Sequence, residues 1–169
     1  MVSVLTLNFE LATLQDLPRV VAIYNQSIPG RLATADLEPV SVASRQAWFA
    51  AFDPSRRPLW LMKENGNDVG WVGLEDFYGR PAYSHTAEIS IYIDQHHHHE
   101  HFGQQALTYV FAQLPRLELQ ALVAFVFAHN QPSLGLFAKN GFAEWGLLPG
   151  VAELDGQRRS LAILGRRFD

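Results

Sequence analysis

The sequence predicts an α/β fold in which one mixed sheet is covered by helices on both faces. Three observations predict it. Segments with helical and strand-like patterning follow one another in the order βααβββαβαββ along the 169 residues. The stretch Asn65-Gly66-Asn67-Asp68 is a strong hairpin signal between two strand-like segments. Residues 121–128 (ALVAFVFA) form a continuous apolar run, which is typical of a strand buried on both faces.

The individual elements follow from periodicity and from local start and stop signals. Ser41 is a good N-cap for the second helix, and Gly141 suits the position just after the end of the fourth. Helices are expected over residues 17–27, 41–52, 103–114 and 131–140. Strands are expected over residues 4–10, 59–63, 69–77, 86–93, 121–128, 142–148 and 159–164. With no linker or repeat between them, these elements predict a single domain over residues 1–169.

Composition excludes several classes of function. The formal net charge of −4 argues against a general nucleic-acid binder, because neutralising phosphates requires a basic face. The chain contains no cysteine, which excludes disulfides, thiolate-bound zinc and a cysteine nucleophile. The opening MVSVLTLNFE has no basic region of a signal peptide, and no apolar run reaches the ~20 residues that span a bilayer. A cytoplasmic protein is therefore expected.

Three stretches carry a family resemblance. The early one is IYN at residues 23–25 with RQAWF at 45–49, the middle one is YSHTAE at 83–88 with IYI at 91–93, and the late one contains Asn130, Ser133 and LFAKNGF at 136–142. In this order and at these separations, the sequence resembles the GNAT superfamily of N-acetyltransferases, in particular its phosphinothricin acetyltransferase-like branch. The resemblance covers nearly the whole chain.

This resemblance implies a GNAT fold, with a mostly antiparallel sheet of about seven strands, and an enzyme that uses acetyl-CoA as co-substrate and needs no metal. In the family, a strand that carries a bulge leads into a helix whose N-terminal N–H groups face the pyrophosphate of coenzyme A. The resemblance implies that the strand edge at Ile91, Tyr92 and Ile93 pairs with the pantetheine arm. It implies further cofactor contacts at His98, His99, Glu100, His101, Phe102, Gly103, Gln104, Asn130 and Lys139.

The predicted phosphate loop departs from the family pattern. The family has Arg or Gln, two residues, Gly, one residue, then Gly or Ala, whereas His98 and His101 replace the first basic residue and the first glycine here. Glycine lets the backbone approach phosphate oxygens closely, sometimes in a conformation that side chains disfavour. Only Gly103 of the two small residues remains, and Glu100 adds a charge of the wrong sign.

Three interpretations of the histidine tract remain open. It is a solvated loop without a role, or a modified phosphate cradle in which imidazolium replaces arginine, or an adventitious site for a transition metal. Because free histidine titrates near pH ~6.5, the second interpretation predicts tighter acetyl-CoA binding at pH 6 than at pH 8. Calorimetric titration of the tag-free, metal-free protein checks this, and equal affinities would contradict it.

Candidate residues for the acyl-transfer chemistry lie in the middle stretch. Amine attack on a thioester needs a deprotonated nucleophile and a proton for the leaving thiolate. Glu88 occupies the position where this branch carries a glutamate and is the candidate general base, although an ordinary exposed carboxylate is the alternative. The resemblance also implies that Tyr83, His85 and Glu88 contact the acceptor amine. His85 as a simple turn residue is the other interpretation.

Phe137 is a second departure from the family. Many members have tyrosine at this position, and the phosphinothricin branch often has histidine, to protonate the thiolate. The thiol of coenzyme A should resemble that of cysteine, with a pKa of about 8.5. The thiolate can therefore leave without a side-chain acid, and the sequence predicts a slower enzyme rather than an inactive one.

Two functions therefore remain. The first is transfer of an acetyl group from acetyl-CoA to the primary amine of a small molecule, such as an amino acid, phosphinothricin or methionine sulfoximine, by direct attack in a ternary complex. The second is a non-catalytic GNAT-fold protein that binds an acyl-CoA, another ligand or a protein partner. By resemblance a homodimer is expected, and an exposed apolar patch around Trp145, Leu147 and Leu148 would suit its interface.

Overall fold

The computed structural model describes residues 6–98 and 101–169. Its strands form one sheet in the order β1-β2-β3-β4-β5-β7-β6. The strands are β1 (Asn8–Leu11), β2 (Leu59–Glu64), β3 (Asn67–Asp76), β4 (Thr86–Ile93), β5 (Ala121–Phe127), β6 (Ala143–Leu154) and β7 (Gln157–Arg167). The helices are α1 (Leu17–Gln26), α2 (Val42–Ala50), α3 (Phe102–Gln113) and α4 (Gln131–Lys139). The predicted order of elements is confirmed.

The sheet is mixed, as predicted. Its neighbouring strands are antiparallel except for β4 and β5, which run parallel. Because successive side chains of a strand point to opposite faces, β2 contributes to two separate cores. Leu59 and Leu61 pack in the smaller core, which includes Val20 and Ile23 of α1. Trp60 and Met62 pack in the larger core, which includes residues of α3 and α4. Helices therefore cover both faces.

Local signals explain where several elements begin and end. The Ser41 hydroxyl accepts a hydrogen bond from the Ser44 backbone N–H at 3.1 Å and so caps α2. Gly141 has a φ of +83° directly after α4, where a left-handed residue ends a helix. Asn65 and Gly66 also have positive φ values, which suits a tight hairpin between β2 and β3.

The bounds of three strands differ from the prediction by three residues or more at one end. The first strand begins at Asn8 rather than at residue 4, and residues 4 and 5 lie outside the described part of the chain. The last two strands are longer than predicted. Residues 149–150 (PG) resemble a break, but β6 continues past them because the β6–β7 pairing shifts register between Leu148 and Ala152. Such a bulge is the usual way in which an edge strand absorbs a proline and a glycine.

The parallel pair positions the functional region. β4 and β5 are paired only from Thr86 opposite Ala121 to Glu88 opposite Val123. Beyond this point β4 continues to Ile93 and β5 to Phe127, without further pairing between them. The sheet is therefore open between the C-terminal halves of two central strands. None of the helices in residues 6–98 and 101–169 is long and apolar enough to cross a membrane.

Candidate active site

A cavity of about 340 Å³ lies between the sheet and the first two helices. Strands β3 and β4 form its floor, and α1 and α2 form its walls. Its lining residues are Val20, Val21, Tyr24, Val40, Arg45, Trp48, Trp71, Glu75, Glu88, Ser90 and Tyr92. The cavity thus contains the candidate base predicted from the sequence.

The floor of the cavity follows from the register of β3 and β4. Trp71 lies opposite Tyr92, and Glu75 lies opposite Glu88. Since side chains alternate along a strand, these residues are on the same face. The rings of Trp71 and Tyr92 stack with centroids 4.8 Å apart and form the apolar end of the floor. The two carboxylates form the acidic end.

Glu88 is in an environment suited to a base. Burial raises the pKa of Glu88 to about 7, and the negative charge of Glu75 adds to this rise. A general base is most effective when its pKa is close to the working pH. The Glu88 side chain is half-buried in the cavity rather than fully exposed, and its role as a base stays a prediction.

Glu75 is a site residue that sequence reasoning missed. The Trp48 indole N–H donates to its Oε1 at 3.1 Å. Burial raises the pKa of Glu75, whereas the hydrogen bond from Trp48 and the charge of Arg45 oppose the rise. Its position near the end of a strand is typical of a solvated carboxylate, so the only signal for its role is the register that places it opposite Glu88.

The wall that faces the carboxylates contains one cation. Arg45 Nη2 lies 2.8 Å from Asp36 Oδ2. The Arg45 guanidinium lies 5.1 Å from the centroid of the Tyr24 ring and 5.8 Å from that of Trp48. The Tyr24 hydroxyl also donates to Asp36. The helical spacing of Tyr24 and Trp48 in the sequence is typical of packing, but both of them and Arg45 line the cavity.

The strand edge implied for the cofactor is present at the opening of the sheet. Ile91, Tyr92 and Ile93 lie in the part of β4 that is not paired with β5. The Tyr92 ring faces the cavity rather than the opening, so Tyr92 contributes its backbone, not its side chain, to the strand edge. The bulge that the resemblance implies is not seen in the β3–β4 ladder, which keeps one register from Gly70–Ile93 to Asp76–Ala87.

The N-terminus of α3 follows β4 closely. His101 has φ +60° and ψ +23°, the left-handed conformation that favours glycine, at the position where the family has its first glycine. The N–H groups of the first helical turn, which starts at Phe102, have no partners within the helix and can bind an anion. The His98 ring is held by a hydrogen bond between its Nε2 and the Ile93 carbonyl oxygen, which lie 3.0 Å apart. His99 and Glu100 lie outside the described residues.

The next three residues of this loop have structural contacts of their own. The side chain of Phe102 is 2% exposed and belongs to the larger core, so only its backbone can face a ligand. A Cβ on Gly103 would lie 2.8 Å from Leu136 Cδ2, so a larger residue here would require the Leu136 side chain to move where α3 meets α4. The amides of Gln104 and Asn140 exchange two hydrogen bonds of 2.8 Å.

Asn130 holds a loop in place. Its Oδ1 accepts from the Ser133 N–H at 3.3 Å and caps α4, and its Nδ2 donates to the Leu32 carbonyl at 3.1 Å. The neighbouring His129 Nε2 lies 2.8 Å from the Arg31 carbonyl oxygen and contacts the same loop. Lys139 lies in the last turn of α4. Contacts of Asn130 and Lys139 with a cofactor stay predictions.

The other two predicted acceptor contacts do not line the cavity. Tyr83 is exposed and lies in a short helical turn before β4. His85 Nδ1 is 2.7 Å from the Glu118 carbonyl oxygen, and the His85 carbonyl accepts from the N–H groups of Gln120 and Ala121. The turn interpretation of His85 therefore has direct contacts to support it, whereas its contact with an acceptor stays a prediction.

The side chain at position 137 is a buried phenylalanine and supplies no proton for the thiolate. Its ring is buried in the larger core and packs edge-on against Phe142, with centroids 4.9 Å apart. Within residues 6–98 and 101–169, no group of three or more histidine, aspartate or glutamate side chains is placed to hold a metal ion.

The chain matches a known family of acyltransferases. A family model described as the acetyltransferase (GNAT) family matches residues 18–142. The chain therefore belongs to the GNAT acetyltransferase family, as the sequence predicted.

Two curated relatives align along nearly the whole chain. The first, named "Putative phosphinothricin acetyltransferase YwnH" from Bacillus subtilis (strain 168), is 50% identical over 163 residues, covering 96% of this chain and 99% of the relative. The second is an L-methionine sulfoximine/L-methionine sulfone acetyltransferase from Pseudomonas paraeruginosa (strain DSM 24068 / PA7). It is 28% identical and covers 94% of this chain and 92% of its own.

Solved structures confirm the predicted fold. A structure described as "Crystal structure of a putative phosphinothricin N-acetyltransferase" matches with a TM-score of 0.93 and 50% identity. The match covers 97% of this chain and 99% of that one. A phosphinothricin acetyltransferase from Sinorhizobium meliloti, solved in complex with AcCoA, matches with a TM-score of 0.88. It is 23% identical and covers 96% of this chain and 89% of its own, so this likeness shows the fold alone.

Proposed function

We propose that the chain is an acetyl-CoA-dependent N-acetyltransferase acting on the primary amine of a small amino acid or of an analogue such as phosphinothricin or methionine sulfoximine. The observation that carries this proposal is Glu88, a carboxylate with a pKa raised to about 7 that lines the cavity and is the last residue of β4 paired with β5. Family membership and the names of the two relatives support the reaction type and the class of acceptor.

The proposed chemistry is direct attack in a ternary complex. Ionised Glu88 takes a proton from the amine, directly or through water, and the free nitrogen lone pair forms a bond to the thioester carbonyl carbon. The carbon–sulfur bond then breaks, and the thiolate takes up a proton. Since a thiol of this kind has a pKa of about 8.5, it can leave without a side-chain acid at Phe137, although more slowly.

Acetyl-CoA is proposed to bind along the opening of the sheet. The backbone of Ile91, Tyr92 and Ile93 would pair with the pantetheine arm, and the first N–H groups of α3 would face the pyrophosphate. The loop residues His98, His99, Glu100, His101, Phe102, Gly103 and Gln104 would surround the phosphates. Asn130 and Lys139 would complete the contacts. The S. meliloti protein, which has this fold, binds AcCoA.

Arg45 is proposed to bind the carboxylate of an amino-acid acceptor. It is the cation among the residues that line the cavity, and its ion pair with Asp36 uses one of its terminal nitrogens. A guanidinium has five N–H donors in a planar fork, so donors remain for a second carboxylate. Tyr83 and His85 remain proposed acceptor contacts from the resemblance alone.

Replacement of Arg45 by Gln should raise the KM for an amino-acid acceptor at least about tenfold, because a charge-assisted hydrogen bond contributes about 1.5–3 kcal/mol. The KM for acetyl-CoA should change little. Steady-state kinetics with phosphinothricin checks this, with Arg158→Gln on the exposed β6–β7 hairpin as the control. An equal loss with the decarboxylated amine would contradict the assigned role and indicate a damaged cavity.

The proposed function is tested by release of free thiol from acetyl-CoA in the presence of phosphinothricin, L-methionine sulfoximine or mixed amino acids. The acetylated product is identified by mass spectrometry. Turnover of an amine supports the proposal. Calorimetric binding of acetyl-CoA without thiol release with any of these amines would overturn it and favour the non-catalytic binding protein.

The cellular setting is also a proposal. We infer one domain over residues 1–169 that acts in the cytoplasm as a homodimer. Support for the dimer comes from β6, an edge strand on which Trp145, Leu147 and Leu148 are between 41% and 49% exposed. Apolar side chains grouped on an edge strand are typical of an interface.

A further inference from the structure

The acidic end of the cavity has a feature that the general base alone does not explain. Glu75 and Glu88 lie directly opposite each other on neighbouring strands, and both line the cavity. Side chains opposite each other in an antiparallel pair have Cβ atoms about 4.5–5.5 Å apart, where like charges destabilise the sheet. One base would suffice to take a proton, so the second carboxylate needs a separate reason.

The groups around this pair do not neutralise it. Arg45 is the charged group of the wall nearest to the pair, and it is already joined to Asp36. The phenols of Tyr24 and Tyr92 remain neutral, since burial raises the pKa of both. With both glutamates and Asp36 ionised, the glutamate pair and the adjoining Arg45–Asp36 ion pair together carry three negative charges against one positive charge. A ligand with a positive group is therefore the electrostatic complement.

Glu75 is also held in a fixed orientation. Its Oε1 accepts from the Trp48 indole N–H at 3.1 Å. A hydrogen bond to the charged form favours ionisation. Burial and the charge of Glu75, by contrast, raise the pKa of Glu88 to about 7. The two carboxylates are thus unequal: burial raises the pKa of both, but Trp48 and Arg45 oppose the rise at Glu75, whereas the charge of Glu75 adds to the rise at Glu88.

We infer that Glu75 is a second acceptor-binding residue, which together with Glu88 binds the protonated amine, so that the acceptor enters the site as an ammonium ion. The inference rests on the proposed function and deepens it by assigning the protonation state in which the acceptor is recognised. It also makes Glu75 a determinant of specificity for amines over neutral analogues of the same shape.

The proton balance is simple. The ammonium ion docks between the two carboxylates, one N–H bond breaks, and the proton forms an O–H bond on Glu88, which leaves a lone pair on nitrogen. Amine groups of amino acids and lysine titrate between about 8 and 10.4, so transfer to a carboxylate with a normal pKa would be strongly uphill. The higher pKa of Glu88 reduces this difference. Glu75 stays ionised and keeps its bond to the nitrogen.

The test uses Glu75→Gln, in which the amide oxygen can still accept from Trp48 while the charge is lost. At pH 7.5 the KM for L-methionine sulfoximine should rise at least about tenfold, the effect of losing one charge-assisted hydrogen bond. The KM for acetyl-CoA should not change. Glu75→Asp keeps the charge and should lie closer to the wild type, and Glu153→Gln on the exposed part of β6 is the charge-matched control.

A binding measurement separates recognition of charge from a structural effect. Calorimetry with the protein saturated with coenzyme A compares L-methionine sulfoximine with its 2-hydroxy analogue, in which a hydroxyl replaces the ammonium. The wild type should prefer the amine at least about tenfold, and Glu75→Gln should lose most of that preference. An unchanged preference in Glu75→Gln, or equal losses in the Gln and Asp variants, would overturn the inference while leaving the proposed function intact. Absence of turnover of any amine by the wild type would instead refute the proposed function, and the inference with it.

Discussion

Glu88→Gln should lower kcat/KM for acetyl transfer by ~10²–10⁴-fold, the usual contribution of a positioned general base. The substituted amide has nearly the same shape but cannot take a proton from the amine. Acetyl-CoA binding should persist, because the proposed cofactor contacts lie further along β4 and at the start of α3. Thiol release with phosphinothricin and calorimetry with acetyl-CoA measure the two quantities. A variant that keeps more than a third of the wild-type rate would exclude Glu88 as the base.

The pH dependence of kcat/KM provides a second test of Glu88 as the general base. Since the base must be ionised, kcat/KM of the wild type should rise with pH through about 7 and level off above it. The limb should disappear in Glu88→Gln. A midpoint near ~4.3 instead would mean that the residue seen in the profile is an ordinary exposed carboxylate.

The raised pKa of Glu88 also determines whether the free energy of unfolding increases or decreases with pH. An unperturbed glutamate titrates near ~4.3, so between that pH and about 7 folded Glu88 holds a proton that the unfolded chain has lost. The free energy of unfolding should therefore decrease as pH rises through this window. Glu88→Gln should be more stable than the wild type at pH 8 but not at pH 4. A loss of activity combined with a gain in stability excludes misfolding as its cause.

Much of the fold could be predicted from the sequence because its signals are local. Ser41, Gly141 and the Asn65-Gly66 pair act on their own backbone, and the structure has caps and a hairpin where they occur. The long pairing of β6 with β7 could not be predicted in the same way. It depends on a bulge that offsets the proline and glycine at residues 149–150, and a bulge forms only in response to a partner strand.

The site was less predictable, because it depends on which residues meet across the sheet. Glu88 could be found since a family pattern surrounds it. Glu75 has no such pattern, and only the pairing of β3 with β4 brings it to the same cavity. Tyr24 and Trp48 have helical spacing that indicates packing, yet the helix faces they occupy cover the cavity rather than a dry core. Periodicity gives the buried face of a helix but not what that face contacts.

Phe102 joins the stability of the core to the proposed cofactor site. It is the first residue of α3, directly after the left-handed His101, and its side chain is 2% exposed within the larger core. Its ring centroid is 6.1 Å from that of His97, in the turn that follows β4. The buried ring thus fixes the helix end whose free N–H groups are proposed to face the pyrophosphate.

Phe102→Ala should therefore lower the free energy of unfolding by about 3–5 kcal/mol, the cost of truncating a fully buried phenylalanine. Phe125→Ala is the matched control, since Phe125 of β5 is 36% exposed and should cost about 1 kcal/mol. Urea unfolding measures both. At a temperature where the variant is still folded, its affinity for acetyl-CoA should also fall, because the N–H groups of α3 are less well oriented. A stability loss with unchanged acetyl-CoA affinity would show that the cofactor does not depend on this helix end, and the phosphate contacts would then have to come from the histidine side chains.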